Sequence, residues 1–448
     1  MMKKISIAVI LAALLQAAAL AQSDSGRLFS LIRELSASSP GGIWPGFDAA
    51  KFTELKEGYL QFSPEPGKPE SQIFMTLSDE YFADHTVEDN IVITVHEAFH
   101  GFQRSPGREG GPWGAENAFL VFEYAASTPR NNALFAIEAR LLLLALRAEG
   151  EERRRKHISD FLAVRRTRQR ELPAKFVEFE RGAELNEGLA EYAGVRAVLE
   201  ALRTGAAKRA SLAISAADGD SYLSEKFETL ETINRVGSNV RRKFYLTGSA
   251  QAVLLDRLMP GEWKRRVQME GASVQDLLEE AIDPSGPVLR SMNYEDVFKT
   301  ESEAAEARTV ENRKLLHETL SEEGVSLKID FSKLGGIVYV QRFDPMNVTM
   351  IEPGIRVHTR MVRFGKEGVF SAAFDKAVVE DLNERTYRAV ISGGLSIRAD
   401  GVKLDPNKNS SVRFSREFRL VGGNVEVTAK TGIVSIEEGR ISMTIEGS

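Results

Sequence analysis

The sequence predicts an α+β protein in two parts. A mainly helical N-terminal domain carries a small β-sheet near its start, and a separate all-β C-terminal domain follows, built as a sandwich or a barrel. Three observations lead there. Apolar residues at helical spacing dominate residues 115–202 and recur as far as 321. Near Gly324 the texture switches to alternation of period two, broken by Gly, Asn and Pro. Between Phe52 and Leu77, two short strand-like runs flank a turn-rich stretch. The expected division is a leader at 1–21, a helical domain at 22–322 and a β-domain at 323–448.

A chain of 448 residues is long enough for two or three domains, and its 43% hydrophobic content can bury a full-sized core. Its first residues differ in kind. Lys3 and Lys4 precede the apolar run 5–15, and Ala19-Leu20-Ala21 places small residues where a signal peptidase needs them. The chain is therefore expected to be exported, to a periplasm or outside the cell, with cleavage after Ala21. The alternative, a retained membrane anchor, suits a longer run than this, and no other segment is long and apolar enough to span a bilayer.

There is no cysteine. That excludes disulfides, thiolate metal ligands and a lipid-modified N-terminus. Loss of the two leader lysines takes the formal charge from −6 to −8, which argues against nucleic acid as a partner.

Taken in order, residues 27–35 carry a helical apolar pattern, and "SSPGGIWPGF" (38–47) breaks it with Gly and Pro. "GYLQF" and "SQIFMTL" read as paired strands around "SPEPGKPE". Thr86, with Asp89 three residues on, resembles a helix cap and opens an apolar segment through Phe102. Leu134, Ile137, Leu141, Leu142, Ala145 and Leu146 form a buried stripe, and "EERRRKH" reads as a solvated helix face rather than a nucleic-acid patch. In the β-domain "VSLKIDF", "GIVYVQRF", "IRVHTRMVRF", "YRAVIS", "VRFSREFRLV", "NVEVTAK" and "GRISMTI" are each read as a strand.

The chemistry concentrates in "HEAFH" at 96–100. On a helix, His96 and His100 at i and i+4 share a face and can bind one tetrahedral zinc. Glu97 is rotated by about 100° from His96, so its carboxylate can reach a water on the metal rather than the metal itself, as a general base requires. Gly101 is read as leaving room beside the metal. The bland alternative is an exposed histidine pair or a structural zinc motif.

A third ligand is still needed. Of the six histidines, His85 sits too close before the helix, while His157, His317 and His358 are read as surface residues. A glutamate fits better. In "GAELNEGLAEYAG" (182–194), Glu187 and Glu191 share a helix face, with Gly188 and Gly194 allowing close packing against the first helix. Glu187 can complete a His-His-Glu zinc site, and Glu191 can accept a hydrogen bond from the far nitrogen of a ligating histidine. The competing reading makes Glu184, Glu187 and Glu191 the polar face of an amphipathic helix.

At "HEAFH" and "LNEG" (185–188) the chain resembles the gluzincin metallopeptidases, in particular the catalytic domain of the aminopeptidase N and glycyl aminopeptidase families. The resemblance implies a zincin-like fold for the helical domain and makes Glu187 the ligand. In the thermolysin-like branch an acidic residue four positions later orients a zinc-bound histidine, which places Glu191. "FYLTG" (244–248) resembles the Tyr-x-x-Gly of aminopeptidase N-like enzymes and implies that Tyr245 is the oxyanion donor. The chain departs from those enzymes in the long helical insertion between His100 and Glu187. It departs again in having the "IFMTL" strand where their Gly-Ala-Met-Glu-Asn signature would stand.

The expectation is thus an exported zinc metallopeptidase acting on a peptide or protein substrate. Two other readings stay open: an exported binding or scaffold protein with a structural or degenerate zinc site, and a zinc hydrolase of a non-peptide amide or ester.

Overall fold

The structure, a computed structural model, describes residues 23–66, 73–105, 110, 113–114, 116–122, 124, 128–235, 240–283, 292–335, 338–344 and 347–447. The leader expected at 1–21 lies outside them. No helix among the described residues is long and apolar enough to cross a membrane.

The layout is α+β. The chain divides into two compact units, with the main division at 298/299. It falls inside helix α13 (Tyr294–Ser321), whose later turns belong with the β-domain: Asn312 Nδ2 donates to the Met350 carbonyl at 2.9 Å.

In the first unit, α1 (Asp24–Ser38) leads through a 3₁₀ turn (Ala49–Phe52) into β1 (Thr53–Lys56), β2 (Tyr59–Phe62) and β3 (Met75–Ser78). These form an antiparallel sheet in the order β1-β2-β3, so β3 is an edge strand. A short α2 (Asp79–Ala83) is followed by α3 (Val87–Arg104), which carries "HEAFH". Thr86 caps α3, its hydroxyl accepting from the Asp89 N–H at 3.1 Å, with Glu88 and Asp89 at the positive end of the helix dipole. Ile91, Val95, Phe99 and Phe102 are all buried, which makes α3 a core helix.

Four helices follow α3 along the chain. They are α4 (Pro129–Arg147), α5 (Glu151–Gln169), α6 (Ala174–Ala183) and α7 (Leu189–Thr204), the last two joined by a π-helical turn at Glu184–Gly188. After α8 (Ala206–Arg209) and α9 (Gly219–Lys226), α10 (Arg241–Leu258) crosses the π turn, and α11 (Glu262–Glu270) and α12 (Val274–Ala281) complete the unit.

Glycine decides how closely these helices approach. A Cβ on Gly194 would lie 2.6 Å from the Val92 carbonyl oxygen, so α7 and α3 touch backbone to backbone. Gly188 packs elsewhere than expected: its Cβ would meet Gly248 Cα at 2.7 Å and the Phe244 oxygen at 2.9 Å, so it serves α10 rather than α3. Gly101 is also reassigned. A Cβ there would meet Phe52 Cβ at 2.9 Å and the Ser63 oxygen at 3.0 Å, so it admits the 3₁₀ turn and the sheet, not a metal.

The second unit holds two sheets. One has the order β14 (Ser410–Phe414), β17 (Gly432–Glu437), β18 (Arg440–Ile445), β4 (Val325–Asp330), β11 (Thr386–Ile391), β10 (Val378–Asp381), β7 (Ile355–His358), β6 (Val348–Glu352). The other runs β13 (Val402–Leu404), β12 (Leu395–Ala399), β15 (Phe418–Gly422), β16 (Val425–Ala429), β9 (Phe370–Phe374), β8 (Val362–Lys366), β5 (Tyr339–Arg342). Side chains of both sheets, such as Ile329, Tyr387 and Met443 from the first and Phe364, Leu420 and Val427 from the second, share one core, as in a sandwich.

Two stretches read as single strands each split into two strands that lie in different sheets. "IRVHTRMVRF" becomes β7 and β8, with Met361 at φ 50° between them, and "VRFSREFRLV" becomes β14 and β15. His358 is not a surface residue. It is buried on the inner face, with Nε2 3.0 Å from Glu380 Oε2 and its ring edge-on to Phe364. His85 and His317 are exposed and His157 is half-buried.

The glycine contact gives a test. Gly194→Ala forces a methyl against the backbone of α3 and is expected to cost on the order of 2 kcal/mol. All three tryptophans, Trp44, Trp113 and Trp263, lie in the first unit, so urea unfolding followed by tryptophan emission reads this unit alone. An unchanged midpoint would contradict the packing described.

Candidate metal centre

Helix α3 presents His96 and His100 from successive turns toward the π turn, which presents Glu187. His96 Nε2 lies 3.1 Å from His100 Nε2 and 3.2 Å from Glu187 Oε2, and His100 Nε2 lies 3.3 Å from the same oxygen. All three residues are buried and their ligand atoms converge, forming a group that can hold a metal ion. Donors about 2.0–2.1 Å from a tetrahedral ion stand roughly 3.3 Å apart, so the three atoms already have the spacing of a ligand set. Three lone pairs facing one another at contact distance need a cation or a shared proton between them.

The far side of each ligand is fixed. His100 Nδ1 is 2.8 Å from Gln103 Oε1, and the Gln103 amide nitrogen donates to the carbonyls of Leu185 and Asn186, each at 3.1 Å. Two carbonyl acceptors dictate the amide's orientation, so His100 Nδ1 carries the proton and Nε2 offers its lone pair. His96 Nδ1 faces Glu191 Oε2 at 3.4 Å, long for a hydrogen bond, and Lys226 Nζ holds the other oxygen of Glu191 at 2.8 Å.

Glu187 divides its two oxygens. Oε2 faces the histidines, while Oε1 accepts from Arg241 Nη2 at 2.7 Å and from Asn186 Nδ2 at 3.1 Å. Arg241 is itself gripped by Glu116, with Nε and Nη2 each 2.6 Å from one carboxylate oxygen. The π turn makes room for this arrangement. The Leu189 N–H bonds the Glu184 carbonyl, five residues back, and such one-turn departures recur at functional sites.

The electrostatics follow from burial and pairing. Burial works to raise the Glu187 carboxyl, but the histidines and Arg241 outweigh it and hold it well below the usual carboxylate range. Burial likewise opposes ionisation of Glu191, yet Lys226 and His96 bring it down to about 2. In His96 burial disfavours the charged form, and the carboxylates of Glu187, Glu191 and Glu97 overcome it and push the metal-free imidazole up to about 10.

Tyr245, on α10, stacks on His96 with ring centroids 5.4 Å apart and planes 14° apart. Burial and the negative Glu187 raise its phenol well above the ordinary value, so it stays a protonated donor. Glu97 is 7% exposed and makes no hydrogen bond among the described residues. Tyr81, at the start of α2, feels its charge, which joins burial in raising that phenol.

The residues singled out from sequence, His96, Glu97, His100, Glu187, Glu191 and Tyr245, all border this one centre. Reading the sequence missed Gln103, Glu116, Lys226 and Arg241. Gln103 had a local signal, being three residues after His100 on the same helix. The other three come from distant segments and had none. Comparison with protein-family models, curated proteins and solved structures found no match for this chain.

The shifts set a pH window for the metal-free protein. A His96 raised from 6.5 to about 10 contributes stability that is complete below pH 6.5 and is lost as pH rises toward 10. A Glu191 lowered from 4.5 to about 2 contributes stability present above pH 4.5 and lost as pH falls toward 2. Calorimetry in chelator should therefore show the melting temperature falling above pH 6.5, with that alkaline slope reduced in His96→Gln. An equal slope in the variant would exclude His96 as its source.

Proposed function

We propose that this chain is an exported zinc-dependent metallopeptidase of the gluzincin type, its helical unit a zincin-like catalytic domain. The convergence of His96 Nε2, His100 Nε2 and Glu187 Oε2 on one point, with the buried Glu97 next to His96 in the chain, supports this most directly. Two imidazoles and a carboxylate are a donor set suited to zinc. Structural zinc sites are usually closed by four protein ligands; among the described residues the group has three.

When bound, the ion supplies Lewis acidity, acidifying water and polarising a carbonyl. Glu97, buried and without a hydrogen-bond partner among the described residues, is placed to take the proton of the attacking water and return it to the leaving nitrogen. The Tyr245 phenol, kept protonated by burial, donates to the oxygen on which charge develops. Gln103 holds His100 in the tautomer that leaves Nε2 free, and the Glu191 carboxylate faces Nδ1 of His96.

A peptide substrate is favoured over other amides and esters because β3 offers an edge. Its residues Met75 and Thr76 are exposed and β2 is its one strand partner among the described residues, so an extended chain can pair with it.

Purified chain should hold about one zinc. Glu97→Gln should keep the metal while peptide-library turnover falls by roughly 10²–10⁴-fold or more. Full turnover in that variant would sink the mechanism. Tyr245→Phe should lower kcat by about 10²–10³-fold with KM little changed; a change confined to KM would remove Tyr245 from the chemistry.

A further inference from the structure

Behind the ligand atoms, Glu187 belongs to a closed ring of four side chains, the other three of which lie outside the ligand group. Arg241 Nη2 and Asn186 Nδ2 both donate to Glu187 Oε1, at 2.7 and 3.1 Å. Asn186 Nδ2 also lies 3.2 Å from Glu116 Oε2, and Arg241 forks onto both Glu116 oxygens at 2.6 Å. The side chains of Glu116 and Glu187 are 2% and 6% exposed and that of Arg241 10%, so water screens these pairs little.

We infer that Arg241, held by the Glu116 fork, is a positioning residue that fixes Glu187 as a one-oxygen ligand; this rests on the metallopeptidase reading above only in taking the centre to bind zinc. A free carboxylate can turn both oxygens toward a cation. Here the two donors on Oε1 would both be lost if Glu187 swung to chelate, while Oε2 stays 3.2 and 3.3 Å from the histidine nitrogens. A one-oxygen carboxylate keeps the remaining coordination position open for water and substrate.

The fork itself matters as well as the charge. Arg241 must bind Glu116 through two nitrogens and still direct Nη2 at Glu187, which a planar guanidinium does and an ammonium cannot. Arg241 is the first residue of α10, and Tyr245 is one turn further along the same helix. The clamp therefore also fixes the helix end that brings the tyrosine to His96.

The test uses substitutions that conserve every charge and change only geometry, Arg241→Lys and Glu116→Asp, in the full chain. Zinc affinity is measured by competition with a chromogenic chelator, and the melting temperature is measured on the metal-free protein. The expected result is zinc affinity weakened about tenfold or more in each variant, in the range seen when supporting partners of metal ligands are removed. The metal-free melting temperature should stay close to wild type. Zinc-edge X-ray absorption should show one carboxylate oxygen in the wild type and a second in the variants.

Wild-type affinity in both variants overturns the inference. So does a loss of affinity that merely follows a fall in metal-free stability, because that is what a scaffolding role predicts. If Arg241→Lys fails to fold, Glu116→Asp carries the same measurements. A wild type that binds zinc but cleaves no peptide removes the peptidase reading and leaves this inference to stand or fall on the affinities. A wild type that binds no zinc overturns both.

Discussion

The contact on which the centre depends is the backbone approach of α7 to α3 at Gly194 and Val92. Val92, His96 and His100 occupy successive turns of one helix face, and Glu187, Glu191 and Gly194 run along the facing one. With no side chain at Gly194 the two helices close to van der Waals contact one turn from His96. At that distance the Glu187 carboxylate reaches Nε2 of both histidines and the Glu191 carboxylate faces Nδ1 of His96. The second glycine contact, Gly188 on Gly248, seats α10 against the π turn and so brings Arg241 and Tyr245 to Glu187.

A turn this crowded with charge needs an anchor, and the core behind it supplies one. Glu184, at the start of the π turn, accepts from Arg165 at 2.7 Å and from Thr247 at 2.6 Å. Arg168 sits fully buried between Glu138 and Glu180, with Tyr124 also bonded to Glu180. Charges buried this deeply gain little net stability over apolar residues, but leaving one unpaired is expensive, so such a network fixes which helix faces meet. The π turn is thus tied from below to α5 and α10 while its upper side holds Glu187.

How much of this was legible depends on how far apart in sequence the partners lie. His96, Glu97 and His100 belong to one helix, where spacing alone dictates a shared face, and Glu187 and Glu191 repeat the same logic a second time. Gln103 obeys that rule too and could have been read from it. Glu116 and Arg241, 125 positions apart, meet only because the fold brings them together, and nothing in either neighbourhood announces the pairing. Gly188 and Gly101 show a related limit: the need for space at each was readable, but not which surface would fill it. His358 shows another. In a sandwich strand a polar residue is no proof of a surface position when the neighbouring strand supplies Glu380.

By itself, then, the sequence determined the elements and their local chemistry, because helical and strand periodicity, capping and i, i+4 spacing are properties of short segments. It placed two histidines on one face, two glutamates on another and a run of strands after Gly324. The tertiary structure decided which faces meet, that Glu187 gives one oxygen to the histidines and the other to Arg241, and that the strands divide into two sheets about one core. Those are outcomes of long-range packing, where the competing arrangements differ by contacts between residues that no short window contains.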